Sequence, residues 1–159
     1  MDLSQVLLTR YARRSSPRYK GRNDLAGTGA PMSIPHIPTS WGELIDKITI
    51  LEIKIERLGG ESARANAARE LDLLREIAGP VLAGAQTAAL TARLKALNET
   101  LWEIEDRIRD HERIGRFDEA FIELARSVYK RNDERGMVKR ELNLALGSEL
   151  IEEKSYKPY

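Results

Sequence analysis

The sequence predicts an all-α protein, an antiparallel helical bundle in which a long, coiled-coil-like helical hairpin follows two shorter N-terminal helices. Three observations support this fold class. Apolar residues recur at spacings of three and four through most of residues 40–147, which is the repeat of a helix face. Charged residues make up 32% of the 159 residues and aromatic residues only 6%, a balance typical of solvated helices. A single stretch alternates apolar and polar residues, and a strand there would have no partner for its backbone donors.

The first predicted helix, from Ser40 to Leu58, is expected to be central in the fold. Ser40 and Glu43 have the spacing of a capping box, and Gly59-Gly60 provides a stop. The main apolar stripe consists of Trp41, Leu44, Ile48, Leu51, Ile55 and Leu58, with Ile45, Ile50 and Ile53 outside it. A helix that is apolar on several sides needs several neighbours. The alternation within residues 48–55 would also suit a β-strand, but the cap favours a helix.

Three further helices are predicted. The second runs from Ser62 to Ala78, where Gly79-Pro80 should end it. The third spans about Thr87 to Glu112, and the fourth begins near Asp118, a favourable N-cap, and ends at Gly147. Both long helices carry heptad seams: Leu90, Leu94, Leu97, Leu101, Ile104 and Ile108 in one, and Phe117, Phe121, Leu124, Val128, Arg131, Arg135, Val138, Leu142 and Ala145 in the other. Because the connection between them is short, they should pack antiparallel, each roughly 40 Å long at ~1.5 Å per residue.

The two ends of the chain differ in character. Residues 1–31 hold six Arg or Lys against two Asp, and they contain little to bury, so we expect a disordered basic leader. Residues 32–159, with twenty basic against twenty-three acidic residues, should form a single helical domain. Met32 is a candidate natural start. Residues 148–159 should form a short turn of helix and then an extended end, whose Leu150, Ile151, Tyr156 and Tyr159 could fold back onto the bundle.

Several function classes find no support in the residues. The absence of cysteine excludes disulfides, Cys-based zinc sites and thiol catalysis. No apolar run approaches the ~20 residues of a membrane span, so we expect a soluble, cytoplasmic protein. Neither His36 nor His111 has neighbours that suit a metal site or a catalytic triad, and Gly59-Gly60 lacks the context of a nucleotide loop. No cofactor and no metal are therefore expected, and nucleic-acid binding is not favoured.

The fourth helix places charged side chains where the seam should be apolar. Arg131 and Arg135 occupy seam positions, and each should need a carboxylate or a ligand anion. Candidate carboxylates are Asp46, Glu52, Glu56, Glu103 and Glu105, and a neighbouring polar stripe consists of Tyr129, Asn132, Asp133, Gly136, Arg140 and Asn143. One interpretation is an interhelical network that fixes register, which the abundance of acidic residues favours. The other is a pocket for a small anion, with the ligand-binding set Asp46, Tyr129, Arg131, Asn132, Arg135, Lys139, Arg140 and Asn143.

Three segments resemble a family of short bacterial proteins of unknown function. They are residues 40–51 (SWGELIDKITIL), residues 128–143 with VYKRNDER and KRELN, and the closing residues 148–159 (SELIEEKSYKPY). The resemblance covers about residues 34–159. It implies an association with glycosyltransferases and tetratricopeptide-repeat proteins of surface-polysaccharide loci, and it implies no known activity.

A weaker likeness is to the all-helical chorismate mutases. Leu44-Ile45-Asp46-Lys47-Ile48 followed by Arg57 is similar to their first long helix, although the second helix here offers no clear polar catalytic set. Two hypotheses follow. The first is a non-enzymatic helical interaction module that binds a protein partner or self-associates through its heptad seams. The second is a small-anion-binding bundle, in which cationic side chains would clamp a dicarboxylate as helical mutases do.

Overall fold

The computed structural model describes residues 34–155, which contain four helices and no strand. The helices are α1 (Trp41–Arg57), α2 (Glu61–Leu82), α3 (Ala85–Arg113) and α4 (Glu119–Ala145). The predicted all-α class is confirmed, and the alternative of a strand within residues 48–55 is wrong. By their contacts, all four helices belong to one unit. The predictions of a basic leader and of a start at Met32 lie outside the described residues.

Helix α1 packs against all three other helices, as its apolar surface predicted. One side contributes to a core with α2, formed by Leu44, Ile48, Leu51, Ala67, Leu71 and Ala78. The other side places Ile45 against α3 and α4, in a second core with Leu94, Val138 and Leu142. Because every neighbouring helix buries part of α1, this helix determines how the other elements are arranged.

The ends of α1 follow the predicted signals with one difference. The Ser40 hydroxyl oxygen accepts a hydrogen bond from the Glu43 backbone N–H at 3.3 Å, so Ser40 is the N-cap. The Glu43 carboxylate pairs with Lys139 of α4. The capping-box spacing therefore supplies a cap at Ser40 and an interhelical ion pair at Glu43. At the other end α1 stops at Arg57, just before Gly59-Gly60.

The predicted end of the second helix at Ala78 is wrong, because α2 continues through Gly79 and Pro80 to Leu82. A proline in a helix removes one backbone hydrogen bond and normally disfavours the preceding turn. Here Ala78 is fully buried, and Val81 and Leu82 pack against the core beyond the proline. This packing holds the last turn in helical form, so tertiary contacts outweigh the local preference.

Helices α3 and α4 form the predicted antiparallel hairpin. Near its open end Arg93 pairs with Glu141 at 3.1 Å, and near the turn the His111 ring lies 6.1 Å from that of Phe121. Gly115 takes a positive φ in the turn, and the Asp118 carboxylate caps α4 by accepting from the Phe121 N–H. The seam residues Leu94, Leu101, Ile104, Leu124, Val138 and Leu142 are buried within the chain. Self-association through these seams, as hypothesised from the heptads, would require opening the core.

The chain after α4 is extended. Gly147 takes a positive φ, and the Ser148 N–H donates to the Asn143 carbonyl at 2.8 Å, which turns the chain back along α4. The predicted turn of helix in this region is not observed in residues 148–155, where the Ser148 hydroxyl bonds the Leu150 carbonyl. Tyr156 and Tyr159 lie outside the described residues. Within residues 34–155, no helix combines the length and the apolar character that crossing a bilayer requires.

Candidate functional site

The candidate site is an ionic network between α1 and α4, and its deepest pair is Asp46 with Arg135. The Arg135 Nε donates to Asp46 Oδ1 at 2.8 Å, and Nη2 donates to Oδ2, so the contact is bidentate. The side chains are 4% and 14% exposed. The guanidinium at this seam position is therefore paired with a carboxylate of the first helix, as the interpretation of a register-fixing network predicted.

Three further polar side chains complete the coordination of this pair. Asn98 of α3 donates from Nδ2 to Asp46 Oδ1 and to the Thr49 hydroxyl, both at 2.9 Å. The Thr49 hydroxyl in turn donates to the Asp46 carbonyl at 2.8 Å. Arg135 Nη1 donates to Asn132 Oδ1 at 3.2 Å. Three helices thus meet in one buried network whose donors and acceptors are satisfied.

The protonation state of Arg135 is secured by its partner. Burial alone would lower the pKa of the Arg135 guanidinium, but the hydrogen bonds and the charge of Asp46 raise it above its ordinary value. The arginine therefore remains a cation throughout the physiological range. A ligand anion that used Arg135 would have to displace the Asp46 carboxylate from a bidentate, buried contact.

The second ionic centre is the buried ammonium of Lys139, one turn further along α4. Its Nζ donates to Glu43 of α1 and, at 2.8 Å, to Glu152 of the C-terminal segment, by which we mean residues 148–155. Burial would lower the pKa of Lys139, yet the hydrogen bonds to Glu152 and Glu43 raise it. The lysine therefore joins the first helix, the fourth helix and the C-terminal segment through one charged group.

The carboxyl groups of Glu43 and Glu152, which both bind Lys139, have pKa shifts in opposite directions. Burial and the proximity of Glu152 raise the pKa of Glu43 above its ordinary value. Burial also disfavours ionised Glu152, but its hydrogen bonds to Glu43 and Lys139 outweigh this and lower the pKa of Glu152. Two acids that share one cation titrate as a pair.

A close backbone approach brings α1 onto α4 beside Lys139. The Gly42 N–H donates to Asn143 Oδ1 at 2.6 Å. A Cβ placed on Gly42 would lie 2.5 Å from the Lys139 carbonyl oxygen and 3.0 Å from Asn143 Oδ1. Only glycine permits this contact, so the Trp41-Gly42 step of the sequence has a structural function at the helix crossing.

A shallow cleft of about 240 Å³ lies between α4 and the C-terminal segment. It is lined by Asp133, Gly136, Met137, Lys139, Arg140, Asn143, Glu152, Glu153 and Lys154. Arg140 pairs across it with Glu153 at 3.1 Å. Lys154 lies over Gly136 and, among residues 34–155, forms neither a hydrogen bond nor an ion pair. Burial and the nearby Lys139 charge lower the pKa of Lys154.

The structure brings together most, but not all, of the predicted ligand-binding set. Asp46, Asn132, Arg135, Lys139 and Asn143 belong to the network, and Arg140 lines the cleft. The prediction that Arg131 is enclosed in the seam is wrong: its side chain is 44% exposed and pairs with Glu134 one turn away at 2.8 Å. Tyr129 also lies at the surface. The other candidate carboxylates pair elsewhere: Glu52 with Arg75, Glu56 with Lys95, Glu103 with Arg57 and Glu105 with Arg109.

Sequence reasoning missed four members of the network: Thr49, Asn98, Glu43 and Glu152. Asn98 lies four residues after the buried Leu94, and a lone amide beside an apolar seam was a usable signal. Glu43 was assigned to a capping box alone, and Glu152 belongs to a segment without helical periodicity. In addition, residues 34–155 contain no group of His, Asp or Glu side chains that could hold a metal ion.

Comparison with protein families gives a match. A family model described as "Family of unknown function (DUF6165)" matches residues 36–159, which is most of the chain and includes α1–α4 and the C-terminal segment. No curated protein and no solved structure matches the chain. By this match the chain belongs to DUF6165, a family of unknown function.

Proposed function

We propose that this protein is a non-enzymatic helical interaction module that binds a partner protein through the tip of the α3–α4 hairpin. The observation that carries this proposal is an exposed apolar group at the tip. Ile114 is 65% exposed, Phe117 57% and Ile122 46%, all within nine residues of one another. Large apolar side chains gathered at one exposed place are typical of protein-binding surfaces.

The tip is held in a defined conformation before any partner binds. The Phe117 and Phe121 rings meet edge-on, with centroids 5.1 Å apart. The Arg116 N–H donates to the His111 carbonyl, and His111 Nδ1 donates back to the Arg116 carbonyl at 2.9 Å. Because the aromatic side chains are already ordered, a partner would bind them at a reduced entropic cost.

Charged side chains surround the apolar group. Arg113 pairs with Asp110 at 3.0 Å, and Arg116 with Asp118 at 2.5 Å. An apolar centre with a polar rim is the usual composition of a protein-binding patch. The network between α1 and α4 then serves a structural purpose, because it orients the hairpin that presents the tip.

We also propose which class of protein binds the hairpin tip. The resemblance to bacterial proteins near surface-polysaccharide loci implies an accessory to glycosyltransferases, acting in the cytoplasm. On this proposal the tip binds a glycosyltransferase or an associated helical-repeat protein of the same machinery.

The test compares two double variants of matched exposure. Ile114→Glu/Phe117→Glu alters the tip, and Met137→Glu/Leu144→Glu alters exposed positions elsewhere on α4. Quantitative affinity purification from the native organism should show at least a tenfold loss of co-purified partner for the tip variant alone, or ~1.4 kcal/mol. Equal recovery with both variants would refute the tip as the binding surface. Loss of partners that include no glycosyltransferase would refute only the assignment to glycan synthesis.

The second candidate function is binding of a small anion, and the observation that favours it is Lys154. Its ammonium lies at the cleft beside Lys139 and Arg140. The likeness to helical chorismate mutases implies a dicarboxylate, although Arg57, which carries part of that likeness, pairs with Glu103 at 3.1 Å. Malonate should raise the melting temperature of the wild type and not of Lys154→Gln if this function holds. No shift in either protein would exclude the anion site.

A further inference from the structure

We propose that the C-terminal segment is exchanged between two copies of this chain, so that Glu152 and Glu153 of one copy bind Lys139 and Arg140 of the other. This inference does not rest on the apolar hairpin tip. It identifies a second surface, the α4 groove, which we define as Gly136, Lys139, Arg140 and Asn143. Its occupant is an extended acidic segment.

After Ser148, whose N–H donates to the Asn143 carbonyl, the C-terminal segment is held on the α4 groove by charged side chains. Glu152 pairs with Lys139 at 2.8 Å and Glu153 with Arg140 at 3.1 Å. The apolar residues of the segment, Leu150 and Ile151, are exposed. Among the described residues, 149–155 make no backbone–backbone hydrogen bond. From residue 149 to residue 155, neither a buried apolar side chain nor backbone hydrogen bonds fix the segment, so it resembles a peptide bound through its charged side chains.

Departure of the segment leaves the groove intact. Lys139 retains its second acceptor, Glu43, so its buried ammonium is not left unpaired when Glu152 leaves. Arg140 is exposed and can be hydrated. The Arg140–Glu153 pair lies at the surface and contributes only ~0.2–1 kcal/mol, so its release costs little. The larger part of the cost is the loss of one carboxylate from the buried Lys139, and the same contact made in the second copy restores it.

The partner that occupies the α4 groove is a second copy of this chain, because the chain carries both of the complementary charged surfaces. Each copy carries both the acidic segment and the basic α4 groove, so two copies satisfy each other by a twofold operation that repeats every intramolecular contact. Three residues join Ser148 to Glu152, so the two Cα atoms are four steps apart and at most ~14 Å apart when extended. The C-terminal ends of the two α4 helices must therefore lie close together. This arrangement places Leu150 and Ile151 between the copies, where they are covered.

Complementation between two full-length variants tests the exchange. Lys139→Gln/Arg140→Gln removes the groove cations, and Glu152→Gln/Glu153→Gln removes the acids of the segment. Wild type should dimerise in low-salt buffer by sedimentation velocity, and each variant alone should have an apparent dimer dissociation constant weakened at least about tenfold. An equimolar mixture should recover dimers, because one wild-type groove then meets one wild-type segment.

Controls separate this surface from others. Arg93→Gln/Glu141→Gln, which removes an ion pair between α3 and α4, should dimerise as the wild type does. If Lys139→Gln does not fold by circular dichroism, Arg140→Gln alone replaces it in the mixture. A wild type that is monomeric at all concentrations would overturn the proposal. So would variants that dimerise unaided, or a mixture that shows no recovery.

Discussion

Replacing Arg135 by methionine should cost the protein about 3 kcal/mol of unfolding free energy. Removal of one partner from a buried ion pair costs ~3–5 kcal/mol, mostly because the other charge is left unpaired. The lower end applies here, because Asp46 keeps the hydrogen bond from Asn98. The total free energy of unfolding of a domain of this size is roughly 6–18 kcal/mol, at ~0.05–0.15 kcal/mol per residue. The variant should therefore still fold, with an easily measured loss.

The matched control is Arg131→Met, four residues earlier in the same helix. Arg131 is exposed and, among residues 34–155, pairs with Glu134 alone at i,i+3, so its loss should cost no more than ~0.5 kcal/mol. The assay is urea unfolding followed by far-ultraviolet circular dichroism and by the fluorescence of Trp41 and Trp102. A difference in midpoint at unchanged slope reports stability alone.

A double variant distinguishes a structural pair from a binding residue. Adding Asp46→Leu to Arg135→Met removes the stranded carboxylate, so most of the lost stability should return. The residual cost is about 1 kcal/mol, because Asn98 loses one acceptor. The coupling energy should thus reach at least ~2 kcal/mol. Equal costs for Arg131→Met and Arg135→Met, or additive costs for Asp46→Leu and Arg135→Met, would refute the reasoning.

In each of two further pairs of variants, the two members should change the stability of the protein in different directions. Gly42→Ala should lose about 1–3 kcal/mol in thermal unfolding, because its Cβ would meet the Lys139 carbonyl at 2.5 Å. Gly136→Ala, whose Cβ meets only the flexible Lys154 side chain, should be neutral or gain up to about 1 kcal/mol; equal losses would contradict this. The second pair is tested by measuring the free energy of unfolding as a function of pH. Glu43→Gln should raise this free energy by about 0.2–1 kcal/mol near neutrality, because the raised pKa of Glu43 means that its ionisation opposes folding. The gain should vanish below pH 4.5, where the carboxyl group is protonated in the folded and the unfolded protein. Glu152→Gln should lower the free energy of unfolding by a similar amount near neutrality, and this loss should vanish as the pH falls through the lowered pKa of Glu152. If both variants changed the stability in the same direction, the two pKa shifts could not be opposite.

Periodicity and capping predicted the helices well because both act locally. The 3–4 spacing of α1, α3 and α4 reports which side chains leave water, and burial is the main stabilising term in folding. Ser40 and Asp118 cap helices through bonds to residues three positions away. The end of α2 could not be predicted in the same way. Its last turn, after Pro80, is held by packing partners distant in sequence.

The candidate site was predictable in part. A cation at a seam position implies a partner, and Asp46 was among the carboxylates that the sequence offered. The sequence does not show which of Arg131 and Arg135 faces another helix. Both lie on the seam, but a long side chain can reach solvent from its edge when a surface partner such as Glu134 is near. The choice depends on Asp46 lying opposite position 135, which only the crossing of α1 and α4 determines.

Lys139 connects the packing of α1 on α4 to the position of the C-terminal segment. Its ammonium binds Glu43, and its carbonyl lies against Gly42, so the start of α1 is fixed on α4 through one residue. The same ammonium binds Glu152, while the Ser148 hydroxyl accepts from the Trp41 N–H at 3.3 Å. The first turn of α1 and the C-terminal segment are therefore held by adjacent groups. Because Glu43 is a second acceptor for Lys139, we predict that Glu152→Gln loosens the C-terminal segment without changing the register of α1 on α4.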